Sequence, residues 1–208
     1  MQVIIFSWEY PPRVVGKLAD YVRELAVRLV KNKVRVYVVT YHDFLTGLYE
    51  EPEGIKTCRI TNPVKTHIGV LTWVLTLNQE AERVAADIYY DVDKQITLVD
   101  VHDWHFIPAA VTLKKAFNLP FIYSIDSLED HRAHGANSPF NMAIKSIEWL
   151  GTYEAKTILV KSEWMRDEAH RTYRVPIEKM KVVKPESRIW MKDVLEAYTM
   201  TGGGYVSR

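Results

Sequence analysis

The feature that most constrains the fold is an alternation of short apolar runs with amphipathic helical segments along most of the chain. The run "VIIF" (residues 3–6) is apolar at every position, as in a central strand buried on both faces. Apolar residues then recur at helical spacing through 17–32, and comparable runs begin at residues 34, 96, 120 and 157. This alternation predicts an α/β fold with a doubly wound, mostly parallel sheet of about six or seven strands and helices on both faces.

The pattern also predicts the domain organisation of the 208 residues. Residues 1–187 form one Rossmann-like domain, with "IKTCRI" (residues 55–60) as an edge strand. A break at Pro185 separates a C-terminal helix, 188–200, which is expected to pack back on that domain. Residues 201–208 contain a glycine run and are expected to form a flexible tail.

Composition and charge exclude several classes of partner. The net charge of +1, from 27 basic and 26 acidic residues, gives no field that favours nucleic acid or an anionic membrane. A single cysteine, Cys58, excludes an internal disulfide and a cysteine zinc cluster. Because neither a signal peptide nor an uninterrupted membrane-length apolar run is present, we expect a soluble, cytoplasmic protein.

Three loops follow predicted strands and are rich in polar and aromatic residues. Ligands of such sheets bind at the carboxyl ends of the strands, which makes 7–17, 101–106 and 126–135 the candidate loops. In the first loop, backbone N–H groups near Gly16 could bind an anion at the helix start, although no GxGxxG dinucleotide fingerprint is present. The alternative is a proline-rich turn in which Gly16 relieves strain.

The second loop, "DVHDWHF", allows three interpretations. His102 could act as a base or polarise a hydroxyl while Asp103 orients it. His102 and His105 could instead ligate a metal with "DHRAH" (130–134). The third interpretation is structural, with Asp103 capping the next helix and Trp104 packed beneath it. In the third loop, Arg132 and its neighbouring histidines either bind a polyol or phosphate or are simply solvated.

Three separated motifs occur in an order that one enzyme family shares. The chain opens with a strand and "SWEYPP", followed by a turn into the first helix; "HDWH" begins at His102, and "ILVKSEWMRDEAHRTYRVPIEKMKVV" spans residues 158–183. These segments resemble S-x-E-x-x-P with its Gly-Gly-Leu turn, H-D-W-H and V-S-x-x-x-[KR]-x-E…G-[VI]-x-x-x-K-[VI]. They are typical of glycogen and starch synthases and related retaining glycosyltransferases. The resemblance covers about residues 1–184.

The resemblance implies the N-terminal, acceptor-side half of a GT-B fold, in which two Rossmann-like domains face each other across a cleft. By the same resemblance, Gly16 approaches the phosphates of a nucleotide-sugar, His102 contacts the reacting sugar, and Glu9 lies at the cleft rim. His102 is the candidate catalytic residue. The candidate substrate-binding residues are Glu9, Gly16, Lys17, Asp103, Trp104, His105, Asp126 and Arg132.

The chain departs from the family pattern at several positions. Lys17 replaces the second glycine, Asp126 replaces a histidine, and "KPES" (184–187) replaces P-N-G. The donor-binding domain, which supplies the cations that neutralise the leaving diphosphate, has no counterpart in these residues. We therefore expect binding of an alpha-glucan or other sugar acceptor with little or no glucosyl transfer, and no cofactor or metal. The alternative is a glucosyltransferase that uses a nucleotide diphosphate-glucose and is completed by a homodimer or a separate donor-domain subunit.

Overall fold

The computed structural model describes residues 1–203, which form one eight-stranded sheet with helices on both faces. Its strands are β1 (Gln2–Ser7), β2 (Arg35–Tyr41), β3 (Gly47–Glu50), β4 (Lys56–Ile60), β5 (Leu98–His102), β6 (Phe121–Ile125), β7 (Thr157–Val160) and β8 (Met180–Val182). The order across the sheet is β3-β4-β2-β1-β5-β6-β7-β8, and every neighbouring pair is parallel except β3–β4. The predicted α/β class is confirmed.

The helices alternate with the strands, as the sequence predicted. They are α1 (Lys17–Lys31), α2 (Val70–Asp91), α3 (Ile107–Phe117), α4 (Glu129–Arg132), α5 (Pro139–Glu154), α6 (Glu163–Tyr173) and α7 (Trp190–Gly202), with short 3₁₀ turns at Trp104–Phe106 and Ile177–Lys179. Within residues 1–203, none of these helices is both long enough and apolar enough to cross a membrane.

The prediction that residues 55–60 form an edge strand is wrong. β4 occupies most of that segment, and β3 pairs with it on the outer side in antiparallel register. All four residues of β3 are exposed, so the strand has no apolar alternation by which a sequence could reveal it. β3 also brings the sheet to eight strands rather than six or seven.

Two hydrophobic cores lie on opposite faces of the sheet. The central strand β1 contributes to both, because Val3 and Ile5 point to one face and Ile4 and Phe6 to the other. The first core is covered by α1 and α7, and the second by α2, α3 and α6. This double burial explains why β1 is apolar at successive positions.

The C-terminal helix α7 packs onto the sheet. Trp190, Val194, Ala197 and Tyr198 are buried in the same core as the apolar face of α1. The helix continues through Gly202, so two residues that the sequence assigned to the tail are helical. Gly203 follows the helix as its C-cap, and the last five residues of that predicted tail, 204–208, lie outside the described part of the chain.

A buried carboxylate joins α7 to the sheet. Asp100 on β5 has no exposed surface and accepts hydrogen bonds from Ser124 on β6 (2.7 Å) and from the Tyr198 hydroxyl (2.5 Å). A buried carboxylate that loses a donor keeps its desolvation cost, so these bonds matter more than exposed ones. Asp100 therefore ties the position of α7 to the carboxyl half of β5.

We predict that Tyr198→Phe lowers the free energy of unfolding by about 1–3 kcal/mol, because Asp100 loses a donor that water cannot replace. Urea denaturation measures this change. The matched control is Tyr153→Phe on α5, where the ring is 67% exposed and the expected change is within about 0.5 kcal/mol. Equal changes in the two variants would contradict the role assigned to Asp100.

Candidate functional site at the carboxyl edge of the sheet

Strand register brings the candidate loops together. Ser7 at the end of β1 pairs with His102 at the end of β5, and His102 pairs with Ser124 on β6. Neighbouring strands lie about 4.8 Å apart, so residues far apart in sequence become close neighbours at this edge. The loops that follow β1, β5 and β6 are the ones that the sequence selected.

His102 is fully buried between two carboxylates. Its side chain has no exposed surface; Nε2 lies 3.4 Å from Asp100 Oδ2, and Nδ1 lies 3.9 Å from Asp126 Oδ2. Burial alone would favour the neutral ring, but Asp100 and Asp126 outweigh it and raise the pKa of His102 to about 9. The ring is therefore an imidazolium at neutral pH.

Two further side chains lie beside this histidine. The Tyr21 ring on α1 meets the His102 ring edge-on, with centroids 5.8 Å apart. Lys161, directly after β7, forms an ion pair with Asp126, and its ammonium lies 3.7 Å from the centre of the Tyr21 ring. Burial tends to raise the pKa of Asp126, but His102 and Lys161 hold it below its usual value.

Asp103 occupies a strained and buried position. Its φ of 60° and ψ of −174° lie in a region that is essentially restricted to glycine. Oδ2 accepts a hydrogen bond from Ser127 (3.0 Å), while Oδ1 is buried without a partner among the described residues. Burial raises the pKa of Asp103 to about 7, although Arg132 opposes the shift. The side chain does not cap the following turn, so the capping interpretation is wrong.

Arg132 is held by acidic side chains. Its guanidinium donates to Glu129 (3.0 Å) and Glu148 (2.5 Å) and lies 3.6 Å from an oxygen of Asp103. Glu148 is fully buried and also accepts hydrogen bonds from the backbone N–H of Glu129 and from the Tyr173 hydroxyl. Arg132 therefore balances a group of carboxylates and is not a free cation for a phosphate.

Trp104 and His105 belong to a column of stacked rings. The His105 ring lies 4.4 Å from the Trp104 ring and 4.5 Å from the Trp8 ring, measured between centroids, and Trp8 stacks in turn on Tyr41. Burial, with smaller effects of two arginines, lowers the pKa of His105 to about 3, so the ring is neutral. Trp104 is buried, as the structural interpretation predicted.

In the loop between β1 and α1, the Glu9 side chain accepts the backbone hydrogen bonds that a ligand could otherwise accept. The Glu9 carboxylate accepts hydrogen bonds from the backbone N–H groups of Val15 (2.5 Å) and Gly16 (2.6 Å) just before α1 begins at Lys17. The Glu9 carboxylate thus lies at the helix start, where an external anion was one of the two interpretations of this loop.

Gly16 is extended, with φ −148°, so it relieves no strain. A Cβ there would lie 3.4 Å from Glu9 Oε1, at van der Waals contact. Lys17 is exposed.

The histidines of the second and third loops do not converge. His131 bonds to Glu168 (2.8 Å) and stacks on Trp164, away from the buried His102. Within residues 1–203, no group of three or more His, Cys, Asp and Glu side chains is placed to hold a metal ion. His134 lies in the exposed turn after α4. The arrangement gives no support to the metal interpretation of "DVHDWHF".

Sequence reasoning missed four residues of this edge: Tyr21, Asp100, Glu148 and Lys161. Lys161 could have been found, because it directly follows a predicted strand at the edge where ligands bind. Glu148 had a signal too, because it lies on the buried face of α5 between Ile144 and Gly151. Asp100 had the same kind of signal, a carboxylate within the apolar run "ITLVDV", whereas Tyr21 lies on an amphipathic helix and had none.

Several buried polar atoms at this edge lack a hydrogen-bond partner among the described residues. They are both ring nitrogens of His102, Asp103 Oδ1, Asp126 Oδ2 and the Tyr123 hydroxyl. Unpaired buried groups are rare, and a water or a ligand usually accounts for them. Together with the strained backbone of Asp103, they make the ends of β5 and β6 the candidate site of this chain.

A family model supplies the identity of the fold. The model described as Glycosyltransferase Family 4 matches residues 18–185, most of the chain. The chain belongs to Glycosyltransferase Family 4. This match confirms the resemblance that the three sequence motifs indicated, and it includes the loops after β5 and β6.

Relatives and solved structures agree with that assignment. An uncharacterised glycosyltransferase of Methanocaldococcus jannaschii is 33% identical over 93% of this chain and 48% of its own length. A glycogen synthase of Mycobacterium tuberculosis is 23% identical over 88% of this chain and 48% of its own. The structure of sucrose-phosphate synthase from Thermosynechococcus elongatus matches with a TM-score of 0.68 at 17% identity, over 88% of this chain and 47% of that one. The chain thus spans about half the length of the relatives it matches.

We predict that Asp103→Asn changes how the stability of this Family 4 domain depends on pH. The Asp103 carboxyl binds its proton more tightly in the folded state, so the wild type loses free energy of unfolding as pH rises through about 7. The amide cannot ionise, so the stability of the variant relative to the wild type should increase by on the order of 2 kcal/mol between pH 4.5 and 8. Urea denaturation at several pH values measures this.

The matched control for this measurement is Asp167→Asn on α6, where the carboxylate is 64% exposed. Its stability difference from the wild type should stay nearly constant over the same range. A constant difference for Asp103→Asn as well would show that this carboxyl ionises normally in the folded protein.

Proposed function

We propose that this Family 4 domain is the acceptor-side half of a glycosyltransferase and binds an uncharged sugar, such as an alpha-glucan, at the carboxyl edge of its sheet. The observation that carries the proposal is the group of unpartnered buried polar atoms on His102, Asp103, Asp126 and Tyr123. Carboxylate oxygens accept hydrogen bonds from hydroxyl groups, which a sugar presents in several directions. The glycogen synthase among the relatives agrees with a glucan as that sugar.

The charges at this edge favour an uncharged ligand over a phosphorylated one. Around His102 and Arg132, carboxylates outnumber cations: Asp100, Asp126, Glu129 and Glu148, together with the partly protonated Asp103, lie beside His102, Arg132 and Lys161. Each of these three cations is already paired with at least one carboxylate. A phosphate would therefore meet net repulsion in a setting where charges interact strongly.

The role proposed for His102 is contact with the sugar as a charged hydrogen-bond donor. An imidazolium carries N–H groups on both nitrogens and no free lone pair, so in this state it is not a general base. It can donate to a ring hydroxyl and stabilise negative charge that develops there. Asp126, in the place of a family histidine, supplies an acceptor beside that donor.

A second candidate function is glucosyl transfer from a nucleotide diphosphate-glucose after completion by a second Rossmann-like domain, subunit or copy of this chain. Exposed apolar side chains on the loops of the carboxyl edge favour it. Ile68 is 97% exposed, Phe44 89% and Val15 66%. Apolar loops beside a ligand edge are typical of a surface that another folded unit covers.

We predict that maltotetraose binds this chain and that glucose 6-phosphate binds at least about tenfold more weakly, because its phosphate is repelled by the carboxylates of the edge. Isothermal titration calorimetry measures both affinities. Asp126→Ala should weaken maltotetraose binding by about tenfold through loss of a charged acceptor. The exposed Asp167→Ala is the matched control and should leave the affinity unchanged.

Two outcomes would change the assignment. Tighter binding of the phosphorylated sugar would contradict the charge argument and favour an anion site instead. Glucosyl transfer to glycogen by the purified chain, lost on His102→Ala, would replace the binding function by the second candidate in the form completed by another copy of this chain.

A further inference from the structure

Three side chains close the space over His102. Tyr21 comes from α1, Asp126 from the loop after β6 and Lys161 from the loop after β7. Lys161 contacts both of the others, because its ammonium pairs with the Asp126 carboxylate and lies 3.7 Å from the centre of the Tyr21 ring. The three side chains form one connected cover, and His102 has no exposed surface beneath it.

Lys161 is the outermost member of this cover. Its side chain is 35% exposed, whereas that of Asp126 is 15% exposed. Water can reach the partly exposed Lys161 ammonium, and Asp126 keeps the charge of His102 beside it when the ammonium moves away. Tyr21 is fixed on a helix whose apolar face packs in the core, so its backbone has less freedom to move away.

The contacts of Lys161 have no role in packing the core. Its neighbours Val160 and Leu159 fill the core positions of β7, and Ser162 caps α6 by accepting a hydrogen bond from the backbone N–H of Met165 (3.1 Å). The ammonium itself pairs with Asp126 and lies over the Tyr21 ring, and both of these side chains lie beside His102. The position of the Lys161 ammonium therefore follows from the groups beside His102 rather than from the packing of β7.

We propose that Lys161 is a positioning residue of this site: it holds Asp126 and Tyr21 over His102, and a ligand reaches the imidazole only after Lys161 leaves Asp126. A ligand hydroxyl would then replace Lys161 as the donor to Asp126. The cover makes access to His102 depend on the strength of one partly exposed ion pair.

This inference concerns the site of the proposed function and rests on it only for the nature of the ligand. The cover can be tested with no ligand present. Failure of sugar binding would leave the exchange result below intact, and failure of the exchange result would leave sugar binding intact.

The experiment measures deuterium exchange at the imidazole C2 position of each histidine by mass spectrometry, using the whole chain. The pKa of each ring is taken from its own pH–rate profile, and each plateau rate is divided by the rate expected for a free imidazole of that pKa, because the plateau rate itself depends on the pKa. In the wild type, His102 should exchange at least about tenfold more slowly than the exposed His134. Lys161→Met should speed exchange at His102 by about two- to fivefold, the range expected for loss of a partly exposed ion pair.

Two control variants separate the cover from a general effect on stability, and a third provides a second way to open it. Lys161→Arg keeps the charge and should exchange at the wild-type rate. Lys192→Met removes an exposed lysine from α7 and should leave His102 unchanged. Asp126→Asn removes the other half of the ion pair with little change in shape and should act like Lys161→Met, which provides a second route if one variant folds poorly.

The proposal is overturned if Lys161→Met leaves the rate at His102 unchanged while circular dichroism shows a native fold. It is equally overturned if Lys161→Arg opens the site as much as Lys161→Met, since the charge would then have no part in closing it. Exchange at His102 as fast as at His134 in the wild type would show that no cover exists.

Discussion

The pairing of one buried imidazolium with two carboxylates is the interaction on which the rest of this site depends. His102 lies at the end of β5 with Asp100 on one side and Asp126 on the other, and its side chain has no exposed surface. A buried charge is tolerated only when opposite charges compensate it, so removal of either partner leaves an uncompensated ion. The arrangement fixes both carboxylates as well as the ring between them.

This pairing extends through the molecule in both directions. Inward, Asp100 bonds to Tyr198, which ties the C-terminal helix to the sheet. Outward, Asp126 pairs with Lys161, whose ammonium lies over Tyr21 on the first helix. One chain of charged and polar groups thus connects α7, β5, the loops after β6 and β7, and α1. His102 therefore lies between the contacts that reach α7 and those that reach the loops of the carboxyl edge.

The fold was largely predictable because strands and helices follow from local periodicity, and the loops at the carboxyl ends follow from the sheet direction. The contacts between side chains within those loops could not be predicted, because they depend on which loops and helices the fold brings together. Glu9 turned inward to bind its own loop, and Arg132 paired with Glu148 from a helix 16 residues away. The glycine-like backbone of Asp103 follows from the path of the chain after β5, which no residue pattern encodes.

We propose that the carboxyl edge of this sheet is a sugar site, and a map of ligand contacts tests this most directly. Backbone amide shifts would be recorded by NMR during titration with maltotetraose. We expect shifts concentrated in 8–17, 102–106 and 126–135, and none at the opposite edge near Arg35 and Gln95. Shifts confined to that opposite edge, or to the groove between α1 and α7, would contradict it.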